Sequence, residues 1–227
     1  VIASAAASQK LPDNFKICNH FEPTVNECLK DAVQSALIQL KDGIPEINEP
    51  PIEPLKLENM TLSNGQSVLS FGNIQIYNVY KGVVQEVNAQ ITHENFEGSI
   101  VVTAEELVGK MQYSVSGVVL MIKLHGGGKG VITFKDTTIR VNVKGDVVNN
   151  NGEHFRFTNL TTKVTPSKIV YDFENIIDEQ EQLNSEINQL FNENWDVLFK
   201  ELQPEFEQII SNVFIEHSNN ILQYVPL

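Results

Sequence analysis

The chain has 227 residues, 41% of them hydrophobic and 20% charged, ordinary values for one globular domain or at most two small ones. Sixteen basic residues against 29 acidic ones give a net charge of −13, which repels phosphate and argues against nucleic acid or an anionic membrane surface as a partner. No apolar run approaches the roughly 18 residues of a membrane span, so no membrane insertion is expected.

The chain opens "VIASAAASQ", a small-residue stretch like the end of a secretory signal, and residues 1–10 read as a tail or signal remnant ahead of a domain at 11–227. Two cysteines, Cys18 and Cys28, are too few for a structural zinc site and are not spaced as C-x-x-C. They are either separate buried thiols or a short-loop disulfide, and the signs of secretion favour the disulfide. Sequons at Asn59-Met60-Thr61 and Asn159-Leu160-Thr161 make Asn59 and Asn159 candidate glycosylation sites and point the same way.

A first helix is expected in "TVNECLKDAVQSALIQLKDG", with Thr24 and Glu27 as a capping box, apolar residues at helical spacing and Gly43 as the stop. "GIPEINEPPIEPLKL" follows, with Pro45, Pro50, Pro51 and Pro54 excluding helix and central strand. It is either a linker or an ordered strap; Ile44, Ile47, Ile52 and Leu55 give a strap something to bury. From about Lys56 to Phe173 the period changes to two, as in Val87-Ala89-Ile91, Ile139-Val141-Val143 and Ile169-Tyr171-Phe173. Turn signals at Asn64-Gly65, Lys81-Gly82, Glu97-Gly98, the "GGGKG" run from Gly126, Lys144-Gly145 and Asn151-Gly152 suggest a meander of about seven to nine antiparallel strands. "KMQYSVSGVVLMIKLH" reads as one strand of 16 residues, about 50 Å long. Gly72 and Gly117 are the expected bend points.

The last stretch is helical. At 100° steps Ile187, Phe191, Trp195, Leu198, Phe199, Leu202, Phe206, Ile209, Ile210 and Val213 share an arc of roughly 140°, with Leu190 and Val197 outside it. The other side is Asn, Gln, Glu, Lys and Ser, expected to face water. The stripe continues through Pro204, so a single helix from about Asp178 to Leu222 is expected, kinked at Pro204 where the Lys200 carbonyl loses its partner. At roughly 65 Å it would overshoot a compact globule of about 45 Å. A broad helix face beside long, half-apolar strands suits a sheet curled around the helix. That arrangement closes into solid core or encloses a channel.

"LPDNFKICNHFEPTVNECLKDAVQSAL", "GIPEINEPPIEPLKL", "SFGNIQIYNVYKGVVQEV" and "FNENWDVLFKELQPEFEQIISNVF" occur in the order seen in the takeout and juvenile-hormone-binding proteins of insects. From about Leu11 onward the chain resembles that family. The resemblance implies an α+β fold, a long C-terminal helix wrapped by a highly curved antiparallel sheet, in an elongated single domain with an internal hydrophobic tunnel. It implies a secreted, non-enzymatic carrier of an isoprenoid, juvenile-hormone-like, quinone or fatty ligand, with a receptor or donor protein left unidentified. Hormone-binding members typically carry further cysteines, so a chain with Cys18 and Cys28 alone sits on the takeout side. Under this resemblance Phe191, Trp195, Leu198, Phe199, Leu202, Phe206 and Ile209 of the helix become candidate lining, with Phe71, Tyr113, Val115, Phe134 and Val141 on strands; without it they read as core. Tyr113 or Trp195 would supply the polar contact that orients an apolar ligand.

Catalytic readings fare worse. "HGGG" at His125–Gly128 resembles an esterase oxyanion loop but lacks the G-x-S-x-G elbow, and reads as a hairpin tip. "GGGKG" has Gly130 where a P-loop needs Ser or Thr. His20, His93, His154 and His217 show no metal-ligand spacing. No enzyme, cofactor or metal is expected. The rival from another class is an extracellular interaction module with a filled core.

Overall fold

A computed structural model describes residues 10–19, 22–63, 67–150, 152–177 and 181–227. The "VIASAAASQ" stretch, His20, Asn64-Gly65 and Asn151 lie outside the described residues.

Helix α1 spans Val25–Gln39 and ends through a 3₁₀ turn at Leu40–Asp42. Gly43 stops it as expected: its φ is +78°, and a Cβ there would sit 2.6 Å from the Glu49 carbonyl oxygen. The capping box does not form. Thr24 has ψ 15°, away from the extended region a cap needs, and makes no side-chain cap hydrogen bond; the Val25 N–H bonds the Glu22 carbonyl instead. The proline-rich segment is a strap and not a linker. Ile44, Ile47, Ile52 and Leu55 are all buried in the core shared with strands and C-terminal helices.

One antiparallel sheet follows, built from β1 (Leu55–Leu57), β2 (Met60–Ser63), β3 (Ser67–Tyr77), β4 (Val83–Ile91), β5 (Asn95–Val119), β6 (Ile122–Asn149), β7 (Glu153–Thr165) and β8 (Lys168–Phe173). Its spine is the β5–β6 hairpin, paired from Asn95↔Asp146 to Val119↔Ile122. At about 3.3 Å per residue each strand of that ribbon runs on the order of 80 Å along its path. One partner cannot cover such length. β5 therefore pairs β4 over its first part and β3 over its second, while β6 pairs β8 and then β7. Register slips where the ribbon meets its partners, at Gly72/Gln75 in β3, Val84/Glu86 in β4 and Lys144/Gly145 in β6. Of the two expected bend points, Gly72 lies at a register shift and Gly117 takes φ +133°.

Four turn expectations fail here. The expected single strand "KMQYSVSGVVLMIKLH" contains the hairpin turn itself, at Leu120 (φ +47°) and Met121 (φ +66°). Such a two-residue turn favours Asn-Gly, so an apolar pair carries no turn signal. "HGGG" and "GGGKG" are not a hairpin tip; they lie within β6. Their glycines serve close approach, since a Cβ on Gly126 would fall 2.2 Å from the Asn175 carbonyl oxygen of a segment crossing the strand. Glu97-Gly98 and Lys144-Gly145 are also within strands, the latter at a bulge.

Helices α2 (Glu181–Glu193) and α3 (Trp195–Leu222) complete the fold. The interruption is at Asn194, whose side-chain amide bonds the Leu190 carbonyl at 2.9 Å, and not at Pro204, which lies within continuous α3. Pro204 and Lys200 are both exposed, so the carbonyl freed by the proline faces water.

The polar side of these helices is only partly wet. Asn192 accepts the Tyr171 N–H at 2.7 Å and donates to the Tyr171 carbonyl at 2.8 Å. Asn188 does the same to Phe173 at 2.9 and 2.8 Å, and Asn219 to Phe157 at 2.8 and 2.9 Å. Between them Ser211 and Glu207 accept the N–H groups of Thr162 and Val164. On the other border Gln34 of α1 bonds Gly82 and Val84, and Asn26 takes the Ala89 N–H. Edge strands β4, β7 and β8 thus find in helix side chains the partners that a next strand would supply. This closes the curled sheet against its helices.

Candidate functional site

The closure leaves space. An apolar cavity of about 460 Å³ is bounded by α1, the strap, residues of all eight strands and α3 from Phe199 to Leu222. Its wall includes Leu29, Val33 and Leu37 of α1, Val87 and Ile91 of β4, and Phe214 of α3. A second void of about 50 Å³ lies where β3, β8 and α2 converge. Phe71, Ile132, Tyr171 and Leu202 border both spaces and form the partition between them.

The candidate residues distribute unevenly. Phe71, Phe134, Val141, Phe199, Leu202 and Phe206 border the large cavity. Phe134 stacks on Phe206 with centroids 5.4 Å apart and meets Phe199 edge-on at 5.8 Å, making one aromatic wall. Tyr113, Val115, Phe191 and Leu198 border the small void. Trp195 and Ile209 border neither; both are partly buried against the core. Trp195 instead lies under the Lys168 ammonium, 5.8 Å from its centroid.

Polar groups are few along this wall. The Tyr113 hydroxyl donates to the Glu174 carbonyl at 2.7 Å, so it is engaged away from the large cavity. Tyr171 contributes a phenol that burial pushes far above its ordinary pKa, leaving it neutral. Among the described residues the wall also holds Lys16, Asn88, Ser99, His217 and Ser218.

Sequence reasoning missed most of the wall contributed by α1, β4 and the last turns of α3. The apolar stripe of α1 and the alternation of β4 signalled buried faces, but neither says whether packing or space lies opposite. The Cys18–Cys28 disulfide is formed, with Cα atoms 5.8 Å apart, and pins the segment carrying Phe15 and Ile17 beside the cavity. Asn59 and Asn159 are both exposed, Asn59 also accepting the Asn73 N–H at 3.3 Å.

A long antiparallel ribbon curled over a C-terminal helix and lined on its inner side by an apolar cavity defines a class of α+β proteins built around an apolar space. The model of the haemolymph juvenile hormone binding protein family matches residues 1–227, and the chain belongs to that family. The crystal structure of Epiphyas postvittana Takeout 1 superposes with a TM-score of 0.82 at 17% identity, covering 93% of this chain and 96% of that one. In sequence the chain is 23% identical over 220 residues to the circadian clock-controlled protein daywake of Drosophila yakuba, covering 92% of this chain and 83% of the relative. The Drosophila melanogaster daywake is 22% identical over 232 residues, covering 97% and 88%. No helix is long and apolar enough to cross a membrane among the described residues.

Proposed function

We propose that this protein is a secreted, non-enzymatic carrier that holds one small elongated lipid-like molecule, isoprenoid, quinone or fatty, in the 460 Å³ cavity. The observation that carries the reading is the wall itself: side chains from α1, α3, the strap and all eight strands converge on one space, and nearly all are aliphatic or aromatic. A filled-core interaction module would have no use for it. The volume is in the range of small-molecule sites. At roughly 30 Å³ per methylene-sized unit, similar to a water, it accommodates on the order of 15 carbons. Burial at about 0.8 kcal/mol per methylene gives roughly 12 kcal/mol gross, of which association costs several. Micromolar to tens-of-nanomolar affinity then follows without a strong polar site. Phe134, Phe199 and Phe206 form the flat side of the channel, and exposed Asn59 and Asn159 are the glycan acceptors of the secreted form.

Native mass spectrometry and organic extraction of protein purified from a eukaryotic secreting host test the proposal, followed by titration with a panel of lipids against a displaced fluorescent probe. A bound apolar molecule or micromolar displacement is expected. A protein that carries nothing and takes up no member of the panel refutes it.

A further inference from the structure

One polar corner of the cavity has a built-in support. Glu49, in the strap, is the only carboxylate that is buried among the described residues, its side chain 1% exposed. Its Oε1 accepts Nδ1–H of His217 and its Oε2 accepts the amide of Asn220. Both partners lie on α3 three residues apart, hence on one helix face. The backbone of Glu49 is itself held by pairing with Ile44.

His217 borders the cavity beside Phe214, Ser218 and Ile221. Because Nδ1–H is given to Glu49, the neutral ring is fixed as the tautomer that leaves a lone pair on Nε2. Among the described residues no side chain or backbone group hydrogen-bonds Nε2. A staple between strap and α3 needs only the Nδ1 edge; the second nitrogen of a ring that borders apolar space is left for a ligand's hydroxyl. We propose that Nε2 of His217 accepts the hydroxyl of an otherwise apolar ligand, so that this cavity selects long-chain or isoprenoid alcohols. This rests on the carrier reading above. A hydroxyl also satisfies the ring if it is charged, by accepting from it. A fatty carboxylate is disfavoured, because the Glu49 carboxylate stands directly behind the ring in a low-dielectric site. His217 is a positioning group for cargo, Glu49 and Asn220 for His217.

The test compares 1-tetradecanol with tetradecane, each delivered from cyclodextrin, as competitors of a fluorescent probe. Replacing His217 alone would strand the buried carboxylate, so the variant is E49L/H217L, which removes both members of the pair. The dehydration of the hydroxyl is common to both proteins and cancels in the comparison. The alcohol-to-alkane affinity ratio is expected to be about three- to tenfold higher in the wild type, the worth of one hydrogen bond. An equal ratio in the two proteins overturns the inference and leaves the carrier reading standing. Failure of the wild type to bind either competitor sinks the carrier reading and this inference with it. A second readout needs no variant: the ¹⁵N resonance of His217 Nε2 should move on adding tetradecanol and stay put with tetradecane. A resonance indifferent to the alcohol also overturns the proposal.

Discussion

Replacing Asn192 by Ala isolates the role of the helix amides at the sheet edge. Asn192 satisfies both backbone groups of Tyr171, which is 5% exposed and whose N–H and C=O have no other partner on that side of β8. The substitution orphans one buried donor and one buried acceptor, at about 1–3 kcal/mol each, and removes little packing because the side chain is small and polar. A loss of roughly 2–5 kcal/mol is expected. For a chain of this size about 1 kcal/mol moves the melting point by 2–4 °C, so a fall on the order of 5–15 °C follows. Urea unfolding with an unchanged m value measures the loss, and hydrogen exchange at the Tyr171 amide locates it. The control is Gln189→Ala, which gives up only an exposed bond to Glu193 one turn away and should cost a few tenths of a kcal/mol. If N192A lies within about 0.5 kcal/mol of the wild type with Tyr171 still protected, water serves that edge as well as the asparagine does, and the closure argument is wrong.

Other expectations can be checked with the same instruments. Exchanging Leu120-Met121 for Asn-Gly relieves two left-handed residues in the β5–β6 turn and should stabilise by about 1–2 kcal/mol in thermal melts; a neutral or lower melting point contradicts the turn assignment. Gly126→Ala drives a methyl into the Asn175 carbonyl and should cost about 3 kcal/mol or more, with lost protection from 174 to 177; near-wild-type stability argues against the close approach. Under the carrier reading, Leu202→Ala thins the partition between the two spaces and should shift the preferred chain length upward by a few carbons, read from the lipid panel; an unchanged optimum means the small void is not reached. Reducing the bridge with a Cys18→Ser, Cys28→Ser double variant opens a loop of 10 residues and should cost about 3 kcal/mol, with the N-terminal segment, Phe15 included, gaining hydrogen exchange.

Local chemistry was the legible part. The stripe of α1, its glycine stop, the burial of the four strap residues Ile44, Ile47, Ile52 and Leu55, and the alternation of β4, β6 and β8 each follow from residues a few positions apart. The continuous stripe across Pro204 also carried through, since one solvent-side carbonyl left to water does not break a helix whose apolar face is packed. What misled was punctuation. Glycine marks a turn in most sequences, but in β6 it marks backbone approaching backbone, whereas the real turn at Leu120-Met121 has no glycine at all. The interruption at Asn194 was likewise invisible beside a proline ten residues later that looked the stronger breaker.

Sequence periodicity states which face of an element is apolar; it does not state what covers that face, because the covering group comes from elsewhere in the chain. Composition and pattern therefore determined by themselves an acidic α+β chain with long strands and an amphipathic C-terminal helix. Only the tertiary structure decided that the helix's asparagines would close β7 and β8, that Trp195 would stand outside the cavity while α1 walls it, and that Glu49 would meet His217 across 168 residues of chain. Each of these depends on how a long, twisted ribbon curls, and curvature accumulates over many residues with no single position to announce it.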